Sequence, residues 1–205
     1  MGSPSASHAA LDELSHAWTG LRAIIGFQSD WTARFDVSAT GVIRSFGAVF
    51  AWGLPLFALV FMAQNRLILA NPEFGAEERS FVYGVLSYLL LWAHFPLVAA
   101  VLLQIIGRMD KLFTYLVVHN WAVLLILFLE SFVWAGQALG VSLETASALT
   151  IVTLCFGLYL HCRVASVTLA VPAGVAIGAA CSHVLVAAII EVVLAQAFGF
   201  GPSSG

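Results

Sequence analysis

Charged residues are scarce in this sequence. Of its 205 residues only 9% are Asp, Glu, Lys or Arg, whereas 61% are hydrophobic and the mean hydropathy is +0.98. Soluble domains carry about 25% charged residues, because a folded surface has to be hydrated. The 8 basic and 11 acidic side chains are too few to cover a water-soluble protein of this size. The composition therefore excludes a soluble domain and predicts an integral membrane protein.

Basic clusters and catalytic motifs are also lacking. The formal net charge is −3 at pH 7, and there is no basic stripe of the kind that binds nucleic acid. The sequence contains no Walker loop, no GxSxG elbow and no HExxH or HxxxH pair. Cys155, Cys162 and Cys181 form no CxxC pair, so they predict neither a zinc site nor a disulfide. These absences predict a non-enzymatic protein, with no catalytic residue and no metal site assigned from motifs.

Long apolar runs are the main positive feature. They cover residues 46–64, 81–106, 112–135 and 145–198, and a helix that crosses a bilayer needs about 20 mostly apolar residues. The last run is too long for one crossing. It is broken at residues 171–174, Val-Pro-Ala-Gly, because proline cannot continue a helix and glycine favours a turn. Because continuous apolar runs in lipid form helices, the pattern predicts an all-α polytopic bundle of about five transmembrane helices.

An amphipathic helix precedes the first span. Apolar residues recur there at three- and four-residue spacing, namely Leu11, Leu14, Trp18, Leu21 and Ile25. Such a helix either lies in the plane of the lipid headgroups or docks against the cytoplasmic end of the bundle, and the sequence leaves both open. The predicted organisation is a cytoplasmic segment 1–45, a five-span bundle 46–198 and a short polar tail 199–205.

The basic residues divide unequally between the two sides of a five-span bundle. One side has six of them and the other only two, Arg66 and Arg79, together with several acids. The six are Arg22, Arg34, Arg44, Arg108, Lys111 and Arg163. Because basic residues accumulate on the cytoplasmic side, we expect a cytoplasmic N-terminus and a C-terminus outside.

Four histidines fall inside the predicted spans, one in each of the last four. At 1.5 Å per residue, His119, His183 and His161 lie roughly 10, 15 and 12 Å from the cytoplasmic side, and His94 lies about 20 Å from it. Buried ionisable groups in a membrane are costly and are candidates for function. The three shallower histidines can share one layer of the bundle.

Several interpretations of these histidines remain open. Imidazoles on different helices at similar depth are what axial ligation of haem b requires. The same set can serve a proton relay or a transition-metal site. The simplest interpretation is that each histidine donates to a carbonyl of a neighbouring helix and holds the bundle together without a cofactor. Sequence spacing gives the depth of each residue but not the direction in which its side chain faces.

Glu130 and Glu191 are the two acids inside the spans. Each lies about 18 residues from the cytoplasmic end of its helix, a distance of roughly 27 Å at the helical rise. The two carboxyl groups either share a proton, face a small polar cavity, or extend to the nearby interface. A proton-coupled or small-solute transporter would use these acids as coupling sites.

Small residues and prolines complete the pattern. Gly174, Gly178 and Ser182 form a small-xxx-small ladder that allows close approach of another helix, either within the bundle or on a partner subunit. Pro55 and Pro96 are expected to kink the first and second spans.

The layout of the chain resembles that of small Yip1-like bacterial membrane proteins. The resemblance is carried by five spans, an amphipathic lead-in, the Arg44-Ser45-Phe46 entry and Arg163 followed by an apolar helix with Pro172; the Asp-Leu-Tyr-Gly-Pro signature of that family is absent. It implies a scaffold protein of the bacterial inner membrane. The leading hypothesis is therefore an accessory or scaffold subunit, in contact with lipid and with other membrane subunits or itself. The alternatives are a haem-b electron-transfer subunit and a transporter.

Overall fold

The structure, a computed structural model of the chain, describes residues 6–70 and 79–200, with side chains from residue 11 onward. The described residues form seven α-helices: α1 Ala6–Ile25, α2 Ala39–Ala48, α3 Leu54–Ala70, α4 Phe81–Ile105, α5 Leu112–Ala138, α6 Leu143–Leu169 and α7 Ala173–Ala197. Residues 71–78 of the predicted acidic loop and residues 201–205 of the predicted tail lie outside the described residues. The described part contains no β-strand, and the all-α prediction is confirmed.

Within the described ranges, five helical segments are long and apolar enough to cross a membrane, as predicted. The first is longer than the apolar run, because the helix extends over Ala39–Ala70 rather than 46–64. It begins early because the Ser38 side chain caps it, accepting a hydrogen bond from the Gly41 N–H at 3.2 Å. Capping, and not hydropathy, therefore decides where this helix starts.

A π-helical turn joins α2 to α3. It covers Val49–Gly53 and ends two residues before Pro55, where the sequence predicts a kink. The Tyr88 hydroxyl on α4 donates to the Val49 carbonyl at 2.7 Å and so satisfies a backbone group inside the bundle. Pro96, in contrast, lies within an uninterrupted α4. Of the two prolines, only Pro55 thus lies next to an irregular stretch of helix, the π-helical turn.

The long C-terminal run folds back where the sequence predicts. Helix α6 ends at Leu169, and Ala170 has a left-handed backbone with φ of 51°. Pro172 then occupies the N-cap position of α7. Proline suits this place because the first turn of a helix has no partner for the missing N–H.

Helix α5 is the most buried span and contacts α3, α4 and α6. Helix α7 closes the bundle by packing between α4 and α6. A hydrogen bond of 2.9 Å from the Asn120 amide nitrogen to the Ser45 hydroxyl links α5 to α2, and both side chains are fully buried. The bundle therefore brings side chains of α4, α5, α6 and α7 towards one interior.

The amphipathic helix α1 docks by its C-terminal half. Ala17, Leu21 and Ile24 are buried in the core of the bundle, whereas Trp18 is 54% exposed. The Arg163 guanidinium on α6 donates to the Ile24 carbonyl at 3.2 Å and lies 4.1 Å from the centre of the Phe27 ring. Of the two arrangements left open by the sequence, the structure thus has the docked one for this half of α1.

Candidate metal centre

The four intramembrane histidines converge inside the bundle. They come from four different helices, His94 from α4, His119 from α5, His161 from α6 and His183 from α7. His94, which the depth arithmetic placed deeper than the others, lies 3.0 Å from His183, measured from Nε2 to Nδ1. The two residues lie at different predicted depths, but their side chains come from different helices, α4 and α7, and meet.

Three of these histidines form a compact group. The candidate ligand atoms of His119, His161 and His183 all lie within 4.8 Å of one another. Their ring centroids are separated by 4.9, 4.8 and 5.2 Å. Three imidazoles on one tetrahedral ion, with metal–nitrogen bonds of about 2.0 Å, have centroids about 5 Å apart. The three rings therefore have the spacing of ligands around a single ion.

His94 fixes the protonation pattern of His183. The Nδ1 atom of His94 lies 3.3 Å from the Leu90 carbonyl, which can only accept, so this nitrogen carries the proton. Nε2 of neutral His94 is then the acceptor, and the Nδ1–H of His183 donates to it. As a result, Nε2 of His183 keeps a free lone pair. Metal-ligating histidines characteristically donate their second ring N–H to such a partner.

Two further ring nitrogens in the group lack a partner. The Nδ1 atoms of His119 and His161 are buried and accept or donate no hydrogen bond within the described part of the chain. His119 itself is only 2% exposed. A buried polar atom without a partner costs free energy, of order 1–3 kcal/mol, unless a ligand, ion or water satisfies it. These two nitrogens are therefore available for coordination.

Aromatic side chains enclose the group. The Phe95 ring stacks on His119 with centroids 3.3 Å apart and meets His183 edge-on at 5.2 Å. Tyr115 lies edge-on to Phe95 at 5.3 Å. Phe95 and Tyr115 therefore form an apolar wall against the histidines.

The two intramembrane acids lie apart from the histidines and do not interact with each other. Glu191 on α7 accepts hydrogen bonds from two residues of α4, from the Tyr83 hydroxyl at 2.8 Å and from the Ser87 hydroxyl. Tyr83 and Ser87 are spaced four residues apart, so they share a face of α4. Glu130 has no hydrogen bond or ion pair to any described residue. The shared-proton arrangement of the two acids is thus absent, because α4 supplies the partners of Glu191.

The small-residue ladder does not pack within the bundle. A Cβ atom built on Gly174 or Gly178 would meet no atom of another helix within 4 Å in the part of the chain that the structure describes. Ser182 is exposed and donates to the Gly178 carbonyl at 2.8 Å. Of the two possibilities stated for the ladder, close approach to a helix of the same chain is not what the structure has. A face for another chain stays a prediction.

Sequence reasoning found the four histidines but missed their neighbours. In the sequence nothing distinguishes three of them from other residues of an apolar helix, namely Phe95, Tyr83 and Ser87. Their roles follow from contacts with residues of other helices. The four-residue spacing of Tyr83 and Ser87 was the one available signal. No family model, curated protein or solved structure matches the chain. The site therefore rests on its own geometry, and the resemblance to Yip1-like proteins stays a prediction.

Proposed function

We propose that this integral membrane protein binds a transition-metal ion inside its helical bundle, with His119, His161 and His183 as ligands. The observation that carries the proposal is the mutual approach of the three candidate ligand atoms to within 4.8 Å, from three separate helices. Imidazole nitrogen is a common ligand for zinc, copper, iron and nickel. His94 has the role of a positioning residue, since it accepts from His183 and leaves the ligating nitrogen free.

Copper in its monovalent state suits this centre best. Three neutral imidazoles offset none of the charge of the ion, and the metal group contains no carboxylate. The cost of moving an ion into a medium of low polarity rises with the square of its charge, so a divalent ion is penalised about four times as strongly as a monovalent one by the Born argument. A divalent ion would need a bound hydroxide at the fourth, open position to reduce that cost.

The test is the metal content of the purified protein. The full chain is expressed with copper and zinc supplied together, purified in detergent under reducing conditions, and analysed by mass spectrometry for bound metals. We expect one copper per chain, lost in His119→Ala, His161→Ala and His183→Ala. His16→Ala is the matched control, because His16 is exposed on α1 and outside the group. Circular dichroism verifies that each variant remains helical.

Two outcomes would contradict the proposal. One is copper or zinc that stays bound in all three variants, and the other is a wild-type protein that binds no metal in competition with a copper(I) chelator. An absorption spectrum with an intense Soret band after haem-replete expression would support the haem-b alternative instead. The accessory or scaffold role is compatible with a bound ion, and pull-down of the full chain from solubilised membranes tests for stable partner subunits. The inner-membrane location and the orientation stay predictions that reporter fusions at both termini can test.

A further inference from the structure

A large apolar cavity lies between α1 and the bundle. Its volume is about 800 Å³, within the range of about 300–1,000 Å³ that small-molecule sites occupy. Leu14 and Trp18 of α1 form one wall, Trp52 and Pro55 a second, and Trp121 and Phe128 of α5 a third. Each wall is apolar, so the cavity accepts a hydrocarbon chain and offers a polar molecule almost no partner.

A second cavity, of about 320 Å³, adjoins the first and is charged. The two share Ala17 and Trp121 as lining residues. Its charged lining consists of three acids and two arginines, namely Asp12, Glu13, Asp36, Arg34 and Arg44, which sum to a net charge of −1. An apolar cavity next to a smaller charged one matches a molecule with a hydrocarbon tail and a polar head.

The charges of the second cavity are only partly paired. Arg34 contacts Asp30 at 3.2 Å and Arg44 contacts Asp36 at 2.8 Å, and each guanidinium has further N–H groups to donate. Hydrogen bonds from Ser38, followed by the charge of Arg44, hold the pKa of Asp36 below its usual range. Asp12 and Glu13 have neither a hydrogen bond nor an ion pair to any residue the structure describes. The cavity thus offers donors to an anion and two unpaired carboxylates to a cation.

We propose that the two cavities form one site for a zwitterionic phospholipid with a primary ammonium, of the phosphatidylethanolamine class. An acyl chain fills the apolar cavity, the phosphate accepts from Arg34 and Arg44, and the ammonium donates to Asp12 and Glu13. An anionic lipid would add negative charge to a cavity that already carries a net −1. A neutral isoprenoid would leave the unpaired acids and the remaining N–H groups of the arginines without partners.

Native mass spectrometry of the full chain tests this site. The delipidated protein in detergent is offered equal amounts of phosphatidylethanolamine, phosphatidylglycerol and an isoprenoid quinone. We expect one phosphatidylethanolamine to remain bound per chain. The double variant Asp12→Asn/Glu13→Gln should bind it about tenfold more weakly, as expected for the loss of charge-assisted hydrogen bonds. Glu144→Gln is the matched control, an exposed acid at the start of α6.

The apolar cavity is tested by filling it. Ala51 lines the cavity, so Ala51→Trp should abolish retention of the lipid, whereas Ala148→Trp on the exposed surface of α6 should not. Equal retention of phosphatidylethanolamine and phosphatidylglycerol, retention that survives Ala51→Trp, or preferential retention of the quinone would each overturn the proposal. Copper content should be unchanged in all of these variants, which separates this site from the histidine centre.

Discussion

His94 and His183 meet through one hydrogen bond of 3.0 Å, with their rings parallel to within 1°. The bond joins α4 to α7 and continues from His94 to the Leu90 carbonyl. This chain of two hydrogen bonds determines which nitrogen of His183 is free. In the proposed function the four histidines are therefore unequal, with three as ligands and His94 as the residue that orients one of them.

Substitution of His94 tests that division of roles. His94→Leu should lower copper affinity by about 10- to 100-fold, the usual cost of losing a partner that orients a metal ligand. One ion per chain should still bind at saturation, in contrast to His183→Ala. His94→Gln should retain more affinity than His94→Leu, because its amide oxygen can accept from His183. Titration against a copper(I) chelator measures both constants, and equal affinities for the Leu and Gln variants would contradict the positioning role.

Gly53 at the end of the π-helical turn is expected to tolerate no side chain. A Cβ atom there would lie 2.6 Å from the Tyr88 hydroxyl, which donates to the Val49 carbonyl. Gly53→Ala should therefore displace Tyr88 and destabilise the protein by about 1–3 kcal/mol, as overpacking commonly does. Thermal unfolding in detergent measures the effect. Gly47→Ala, where nothing lies within 4 Å of the new Cβ, is the control and should unfold like the wild type.

Glu191 is expected to stabilise the contact of α4 with α7. Glu191→Leu leaves the hydroxyls of Tyr83 and Ser87 without their acceptor, and a buried donor without a partner costs about 1–3 kcal/mol. Glu191→Gln should cost less, since the amide oxygen still accepts. Glu130→Leu removes no described hydrogen bond and should leave stability nearly unchanged. Unfolding of the three variants in one detergent compares them, and a larger loss for Glu130→Leu than for Glu191→Leu would contradict the assignment.

A substitution in the small-residue ladder of α7 is expected to change the association of the protein without changing its stability. In Gly178→Leu the new Cβ has no atom of another described element within 4 Å, so the monomer should remain as stable as the wild type. If the ladder contacts a second chain, as small-xxx-small faces do in membranes, the variant should be monomeric where the wild type is a dimer. Light scattering in detergent gives the mass of the complex. Unchanged oligomers in the variant would exclude the ladder as the contact.

Hydropathy predicted the spans, and hydropathy together with a proline-glycine break predicted the fold-back of the chain. The break at residues 171–174 and the five long helices follow from the length of the apolar runs and from Pro172. The first helix starts at Ala39, ahead of the apolar run that begins at residue 46, because a serine cap and not apolar character determines its start. The π-helical turn before Pro55 was predicted only as a kink, since its form depends on Tyr88 from another helix.

The sequence predicted the depth of the histidines in the candidate centre but not the direction in which their side chains face. Depth arithmetic placed His119, His161 and His183 in one layer, yet it could not show that they face the same interior. Facing depends on how each helix is rotated, and nearly uniform apolar spans carry little signal of that rotation. The partners of Glu191 were missed for the same reason, since they lie 104 and 108 residues away along the chain.

X-ray absorption at the copper edge of the loaded, purified protein tests the central claim most directly. The account predicts three nitrogen neighbours at about 2.0 Å with the outer-shell pattern of imidazole, since metal–histidine bonds have about this length. His161→Ala, which should lose the ion, should show no copper edge above background. A first shell containing sulfur, or a set of nitrogen neighbours unchanged by His161→Ala, would contradict a centre built from His119, His161 and His183.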